Sequence, residues 1–344
     1  MLSNADLAEL LADAAKEAEG VMRQALKRAA RAAFMWPEQA ASLLTAGRTL
    51  TELHGIGPSL AKRIELWMEK PPRRPRVRDP LRRDFLTLAD ARAALRKKSE
   101  WAPRLRGDLQ MHTQWSDGSG TIAEMAAAGA ERGYEYIAIT DHTKGLSIAG
   151  GINEGQVSEQ ALEVKNVNAA GTTTTVLHSV ELNLNPRGEG DMDRTCLTKL
   201  DLVLGSFHSA LRKKEDQTER YLAALRNPDL QILGHPRGRV YNFRLGLAAD
   251  WPRVFAEAAS LDKALEIDSY PDRQDLNVSL LKLAAKSGCR ISIGTDAHHA
   301  TQLEFVELGL AAALIAKIPA DRIINFLPLA ELRNWVANIR PRSL

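Results

Sequence analysis

At 344 residues, 44% hydrophobic and 26% charged, the chain is too long for one small domain and too apolar for disorder. Two cysteines, Cys196 and Cys289, exclude a disulfide scaffold and a cysteine-rich zinc module. The net charge of +3 hides three regions: residues 1–70 are neutral, 71–106 carry +8 and 107–344 carry −5. No stretch approaches ~18 uninterrupted apolar residues, and the acidic N-terminus lacks a signal-peptide core. A soluble cytoplasmic protein with no membrane partner is expected.

Residues 3–34 read as helical, with Leu7, Leu10, Leu11, Ala14 and Ala15 near the helical period. Ser3 is placed to cap the first helix, with Asp6 at the capping-box position. Pro37 is suited to open a further helix and Gly47 to end it. Residues 50–70, LTELHGIGPSLAKRIELWMEK, centre on a glycine corner, Gly55-Ile56-Gly57. Pro58 and the periodic Leu60, Ile64 and Trp67 follow, so a helix–turn–helix is expected. Residues 71–83, PPRRPRVRDPLRR, hold four prolines and cannot form a regular helix or a central strand. A short helix is expected over 84–98. The division is thus a helical domain at 1–70, a basic linker at 71–106 and a third region at 107–344.

From residue 107 short apolar runs alternate with helical segments. Strands are expected at 107–112, 135–140, 173–182, 200–206, 230–234, 263–268 and 289–294. Helices are expected at 121–132, 157–169, 215–226, 251–261, 275–287 and 303–317. Near-continuous apolar strands alternating with helices indicate parallel β covered by α, as a barrel or a doubly wound sheet.

Nearly every such strand ends in a residue type that binds metal. The first leads into GDLQMHTQWSDG, with His112 and Asp117. The others give ITDH (His142), VLHSVELN (Glu181), GSFH (His208), GHP (His235) and GTDAHH (Asp296, His298). His178 lies three residues before Glu181 and so projects from the opposite strand face. His299 is expected to point away, and His54 lies in the glycine corner. In a parallel barrel the strand C-termini converge on the face where active sites sit. Imidazole and carboxylate ligands without thiolate suit Zn, Mn or Fe. So many candidates exceed the needs of one four-coordinate ion, so two or three divalent ions are expected. Such clusters activate water and clamp phosphoester oxygens.

These motifs, in this order and spacing, resemble the PHP (polymerase and histidinol phosphatase) superfamily, in the version fused to bacterial family X DNA polymerases. The resemblance implies a distorted seven-stranded (β/α) barrel preceded by a small all-α helix-hairpin-helix domain. It implies one metal near His112, Glu181 and Asp296, a second held by His208 and His235 with Glu181 bridging, and a third held by Asp117, His142 and His298. The catalytic set would be His112, Glu181, His208 and Asp296. The family usually begins D-x-H-x-H; Gln110 stands at the first His and offers only a neutral oxygen. Arg237 and Arg239, after the GHP motif, are candidate phosphate contacts.

The stretch LTELHGIGPSLAKRI resembles the helix-hairpin-helix of family X polymerases, which would set Gly55, Gly57, Lys62 and Arg63 at DNA phosphate. Arg63 stands where lyase-active relatives carry a Schiff-base lysine, so no lyase activity is expected. Residues 71–106 are too short for a polymerase palm and hold no D-x-D pair. The resemblance therefore implies a phosphoesterase of DNA ends in DNA repair, a 3′–5′ exonuclease, a 3′-phosphatase or both. The alternatives are a small-molecule phosphatase of the histidinol-phosphate type and a non-catalytic DNA-binding protein.

Overall fold

A computed structural model describes residues 1–72 and 79–340, which form two compact units, Met1–Lys98 and Ser99–Leu344. Residues 73–78, with four of the strap's arginines, lie outside the described residues.

The first unit is helical. Its opening stretch is two helices, α1 (Asn4–Glu17) and α2 (Gly20–Ala32), not one continuous run. The break at Ala18–Glu19 is followed by Gly20 at φ +55°, a conformation glycine adopts without a Cβ penalty. Ser3 caps α1 in a reciprocal box with Asp6. The next helix, α3 (Ala40–Thr45), begins at Ala40 rather than at Pro37. The arm before the glycine corner is a single 3₁₀ turn, Leu50–Glu52, capped by Thr49. Gly55 turns the chain at φ +79°, and α4 (Pro58–Glu69) starts from Gly57 with Pro58 in its first turn.

The unit continues past residue 70 through α5 (Leu88–Arg96). Arg82 is buried against α1, its Nε 3.0 Å from both carboxylate oxygens of Glu9. Gln39 donates to Asp90 at 2.8 Å. The described part of the basic segment up to Lys98 is thus packed on the helices, and packing does not change at residue 70.

The second unit alternates strand and helix: β1 (Gly107–Asp108), α6 (Ile122–Glu131), β2 (Tyr136–Ile139), α7 (Glu154–Ala169), β3 (Thr175–Asn183), the short α8 (Arg194–Leu197), β4 (Leu202–Ser206), α9 (Thr218–Arg226), β5 (Ile232–Leu233), α10 (Trp251–Ser260), β6 (Ala264–Asp268), α11 (Val278–Ser287), β7 (Arg290–Gly294), α12 (Val306–Ala316) and α13 (Leu329–Ile339). All neighbouring strands are parallel and follow chain order, giving a nearly closed seven-stranded (β/α) barrel. The last seam, between β7 and β1, is sewn rather than laddered. Near the strand starts the Asn325 amide donates to the carbonyls of Gly107 (2.9 Å) and Ile293 (2.8 Å) and accepts from Ile293 N–H (2.7 Å). Beyond the strand ends, Asp296 N–H donates to Gln110 O (3.1 Å) and His112 N–H to Ala297 O (2.8 Å).

Strand alternation sorts the apolar residues. Tyr136, Ala138, Leu177, Leu202, Leu204, Ile232 and Ala264 form one buried cluster with Leu332, Trp335 and Val336 of α13. Ile137, Ile139 and Val176 pack instead with Ile122, Met125 and Ala126 of α6. Tyr136 Oη donates to Leu327 O (3.0 Å) and Trp335 Nε1 to Asp262 O (2.9 Å), so the bulky polar tips of this cluster are satisfied. Among the described residues no helix is long and apolar enough to cross a membrane.

Candidate metal centre

The same alternation that fills one end of the barrel delivers polar groups to the other. On β3, Leu177 faces inward, so Ser179 and Glu181 share its face. His178 faces outward, its Nε2 3.0 Å from Gln160 on α7, and burial pushes its pKa down. The candidate ligands His142, His208, His235, Asp296 and His298 each follow the last residues of a strand. His112 and Asp117 lie in the loop after β1. Two candidate ligands hold left-handed backbone that non-glycine residues rarely adopt, His235 at φ +21° and Asp296 at φ +53°. Strain of this kind persists where the surroundings over-determine it, which is common at functional sites.

Glu181 is fully buried and central. Its Oε1 lies 2.7 Å from His235 Nε2 and 3.2 Å from His208 Nε2. Its Oε2 lies 3.0 Å from His142 Nδ1 and 3.5 Å from His112 Nε2. His112 Nε2 is also 3.0 Å from Asp296 Oδ1. On the outer side Asp117 Oδ1 is 3.3 Å from His298 Nε2, 3.6 Å from His142 Nε2 and 4.0 Å from His112 Nδ1. Three overlapping groups have ligand atoms within 4.8 Å of one another: His112, Asp117, His142 and His298; His142, Glu181 and His208; His112, Glu181 and Asp296. His112 and His142 therefore sit between groups, and the site opens at Asp117 and His298, whose side chains are 35% and 29% exposed.

The donor set fits divalent cations. His112 Nδ1, His142 Nδ1, His235 Nδ1 and both Glu181 oxygens are buried and make no aligned hydrogen bond, although imidazoles crowd the carboxylate, which a folded protein rarely tolerates. The outer atoms of two histidines are anchored: His208 Nδ1 to Asn183 Oδ1 (3.1 Å) and His298 Nδ1 to Asp296 O (2.7 Å). We assign the proton to Nδ1 in both, which leaves Nε2 as a ligand atom.

Against the cost of burial, His142, His208 and His235 hold Glu181 well below the usual carboxylate range. Arg273, then His112 and His298, do the same for buried Asp296. Asp117 is lowered by His298, His112 and His142, also against burial. His298 is pushed up to about 9 by Asp117 and Asp296 despite burial. His142 is raised by Glu181 despite burial, whereas burial dominates for His208 and lowers it. Carboxylates kept this anionic in a buried mouth are the electrostatic complement of divalent cations.

Other residues singled out from the sequence are placed differently. Gln110 is fully buried beside Glu266. With its nitrogen toward Glu266 it donates to both carboxyl oxygens (2.6 and 3.0 Å). Burial, reinforced by Asp296, Glu181 and Asp108, raises Glu266 well above the usual range. A Cβ at Gly294 would collide with that Glu266 carboxyl and with Gln110, so the pair depends on glycine there. Arg237 Nη2 donates to Leu245 O (2.7 Å) within its own loop, and Arg239 Nε donates to Arg273 O (2.7 Å) in the loop after β6. Gly55 and Gly57 form the corner of the helical unit, with Lys62 exposed and Arg63 half-buried on α4.

The cation beside the cluster is one the motifs did not flag. Arg273 Nε lies 3.3 Å from Asp296 Oδ2 and 3.6 Å from Asp268 Oδ2. Asp296 and Asp268 keep it charged against the cost of burial. Buried Asp141 was also missed. It accepts from Thr113 N (2.8 Å), Thr113 Oγ1 (2.6 Å), Ser116 Oγ (2.5 Å) and Gln160 Nε2 (2.7 Å), and so fixes the loop carrying His112 and Asp117.

A parallel barrel whose mouth gathers histidines and carboxylates suits a metal-dependent hydrolase. The chain belongs to the PHP family: the PHP domain model matches residues 108–296. It is 34% identical over 234 residues to the "DNA polymerase/3'-5' exonuclease PolX" of Bacillus subtilis (strain 168), across 68% of this chain and 41% of that protein. The chain thus spans about two-fifths of that relative's length. It is 30% identical over 242 residues to a "Probable phosphatase" of Photobacterium profundum, across 66% of this chain and 94% of that protein. The structure of histidinol phosphate phosphatase from Lactococcus lactis, complexed with zinc, L-histidinol and phosphate, superposes with a TM-score of 0.43 at 17% identity, covering 62% of this chain and 94% of that one.

Proposed function

We propose that this phosphoesterase acts on DNA ends, as a 3′–5′ exonuclease, a 3′-phosphatase or both, in DNA repair. The observation that carries the reading is the pairing, on one chain, of a phosphoester-hydrolysing mouth with the Gly55–Gly57 corner, whose exposed N-terminal end of α4 suits a phosphate. The likeness to the Bacillus subtilis PolX protein supports it.

Glu181 with His112, Asp296, His208 and His235 would hold two ions, and Asp117, His142 and His298 a third. Divalent ions held there, Zn, Mn or Fe, would supply a water of lowered pKa and offset the charge of the phosphate oxygens. Asn183 fixes the ring of His208, and Asp141 fixes the loop of His112. Arg273 keeps Asp296 ionised and has donors to spare for a phosphate oxygen.

The test is a panel of 3′-hydroxyl and 3′-phosphate oligonucleotides with Mn²⁺, run beside p-nitrophenyl phosphate. Release of nucleotides or phosphate from DNA is expected, and DNA left untouched would refute the reading. Lys62→Ala with Arg63→Ala should weaken action on DNA more than on the small ester. Equal effects would remove the helical unit from the reading. A second reading, a small-molecule phosphatase of the histidinol-phosphate type, is favoured by the Photobacterium relative, which aligns over nearly its whole length. It predicts the reverse preference in the same panel.

A further inference from the structure

The rim of the barrel mouth carries an aromatic–cationic patch that the metal chemistry does not use. Two loops build it, and each leaves the barrel directly after a candidate ligand. The loop after His208 reaches Arg212 within four residues, and the loop after His235 carries Phe243 and Arg244. The second loop is firmly held. Tyr241 N–H donates to Asp272 O (2.7 Å), Arg237 N–H to Asp275 Oδ2 (2.9 Å), and Val240 and Arg244 bridge each other. Through Arg239 it is also tied to the carbonyl of Arg273, whose guanidinium touches Asp296.

On this scaffold the Arg212 guanidinium lies 4.6 Å from the centroid of the Phe243 ring. Phe243 is nevertheless 56% exposed, and its neighbour Leu245 is 52% exposed. An exposed phenylalanine on a braced loop holds its apolar surface in water, which folding alone does not favour. Arg212 and Arg244 take no carboxylate partner among the described residues; Arg244 Nε donates to the Gly238 carbonyl. Burial, and then the positive charges of Arg273 and Arg212, push the Arg244 guanidinium down, so the three cations share one region. An exposed aromatic ring beside guanidiniums that have no carboxylate partner is the pattern that binds single-stranded nucleic acid, with bases stacking and phosphates pairing.

We propose that Phe243, Arg212 and Arg244 form a platform for the end of a single polynucleotide strand, a base stacking on Phe243 and backbone phosphates meeting the two arginines. The proposal rests on the reading of DNA ends as substrate and makes it more specific: the strand entering the mouth is unpaired. Double-stranded ends must then fray before hydrolysis.

The test uses the full chain and a fluorescent oligothymidylate with a phosphorothioate 3′ end, followed by anisotropy. Phe243→Ala should weaken binding about tenfold, and Phe243→Trp should restore it. Arg212→Ala should lower the slope of log affinity against log salt by about 0.7, whereas Phe243→Ala leaves that slope in place. On an abasic strand of the same length the Phe243→Ala loss should vanish. Wild-type affinity in Phe243→Ala, or an equal loss on the abasic strand, would overturn the platform. A wild type that digests DNA ends while Phe243→Ala binds normally fails the platform alone. A wild type inert on DNA ends that still binds through Phe243 fails the DNA-end reading alone.

Discussion

The two ends of the barrel are built from the same strands under opposite rules. At the strand starts, Tyr136, Leu202, Ile232 and Trp335 fill the interior, and the bulky polar tips and the Asn325 amide find partners. At the strand ends, Glu181, His112, His142 and His235 are as deeply buried, yet several of their polar atoms make no aligned hydrogen bond. One end gains stability from burial. The other sacrifices it, since buried ionisable groups are costly unless paired, and that cost marks where cations bind.

The largest effect expected at the mouth is on chemistry. Glu181→Gln keeps the shape but removes the charge that faces four histidines. Hydrolysis of p-nitrophenyl phosphate should fall at least about 10³-fold, about 4 kcal/mol of transition-state stabilisation. A loss under tenfold would break the contrast between the ends. The counterpart at the floor is Asn325→Ala, which leaves the carbonyls of Gly107 and Ile293 and the N–H of Ile293 unpaired. Urea unfolding should show a loss of about 3 kcal/mol with metal content unchanged.

Chelation comes next. Ions at a hundredfold over their dissociation constant stabilise by about 2.7 kcal/mol, so a chelator should lower the melting temperature of wild type far more than that of Glu181→Gln. The smallest effect concerns Lys263, immediately before β6. Burial pushes it down to about 8, with Asp229 opposing, while its Nζ donates to Asn227 O. The unfolded chain then binds more protons between about pH 8 and 10.4, so stability should rise by about 2 kcal/mol over that window. Lys263→Met should flatten that rise, and a rise of the same size in the variant would assign it to other groups.

Much of the barrel was legible because buried parallel strands write themselves as apolar runs, each closed by a polar residue at the turn. Six of the seven strands fall within the expected segments and β3 runs one residue past its own, to Asn183, while β1 pairs over only Gly107–Asp108. The helical unit was less legible. Helical composition over 3–34 carries no mark of the break at Ala18–Glu19, and a 3₁₀ turn at Leu50–Glu52 looks like a helix start. At the mouth, residue type and place announced the histidines and carboxylates, and they converge around Glu181. Side-chain direction was not legible. The bonds that Arg237 and Arg239 make to the carbonyls of Leu245 and Arg273 could not be read from their place after His235. Arg273 is distant in sequence from every other member of the site except by way of the fold, and a lone arginine in Y-P-D-R has no spacing to betray it.

The most direct measurement is the number of metal ions per chain, by elemental analysis of wild type and Glu181→Gln, with circular dichroism showing both folded. Two or three divalent ions in the wild type, and at least one fewer in the variant, is the predicted result. A folded wild type without bound divalent metal, or the same count in both proteins, would contradict a metal centre organised around Glu181.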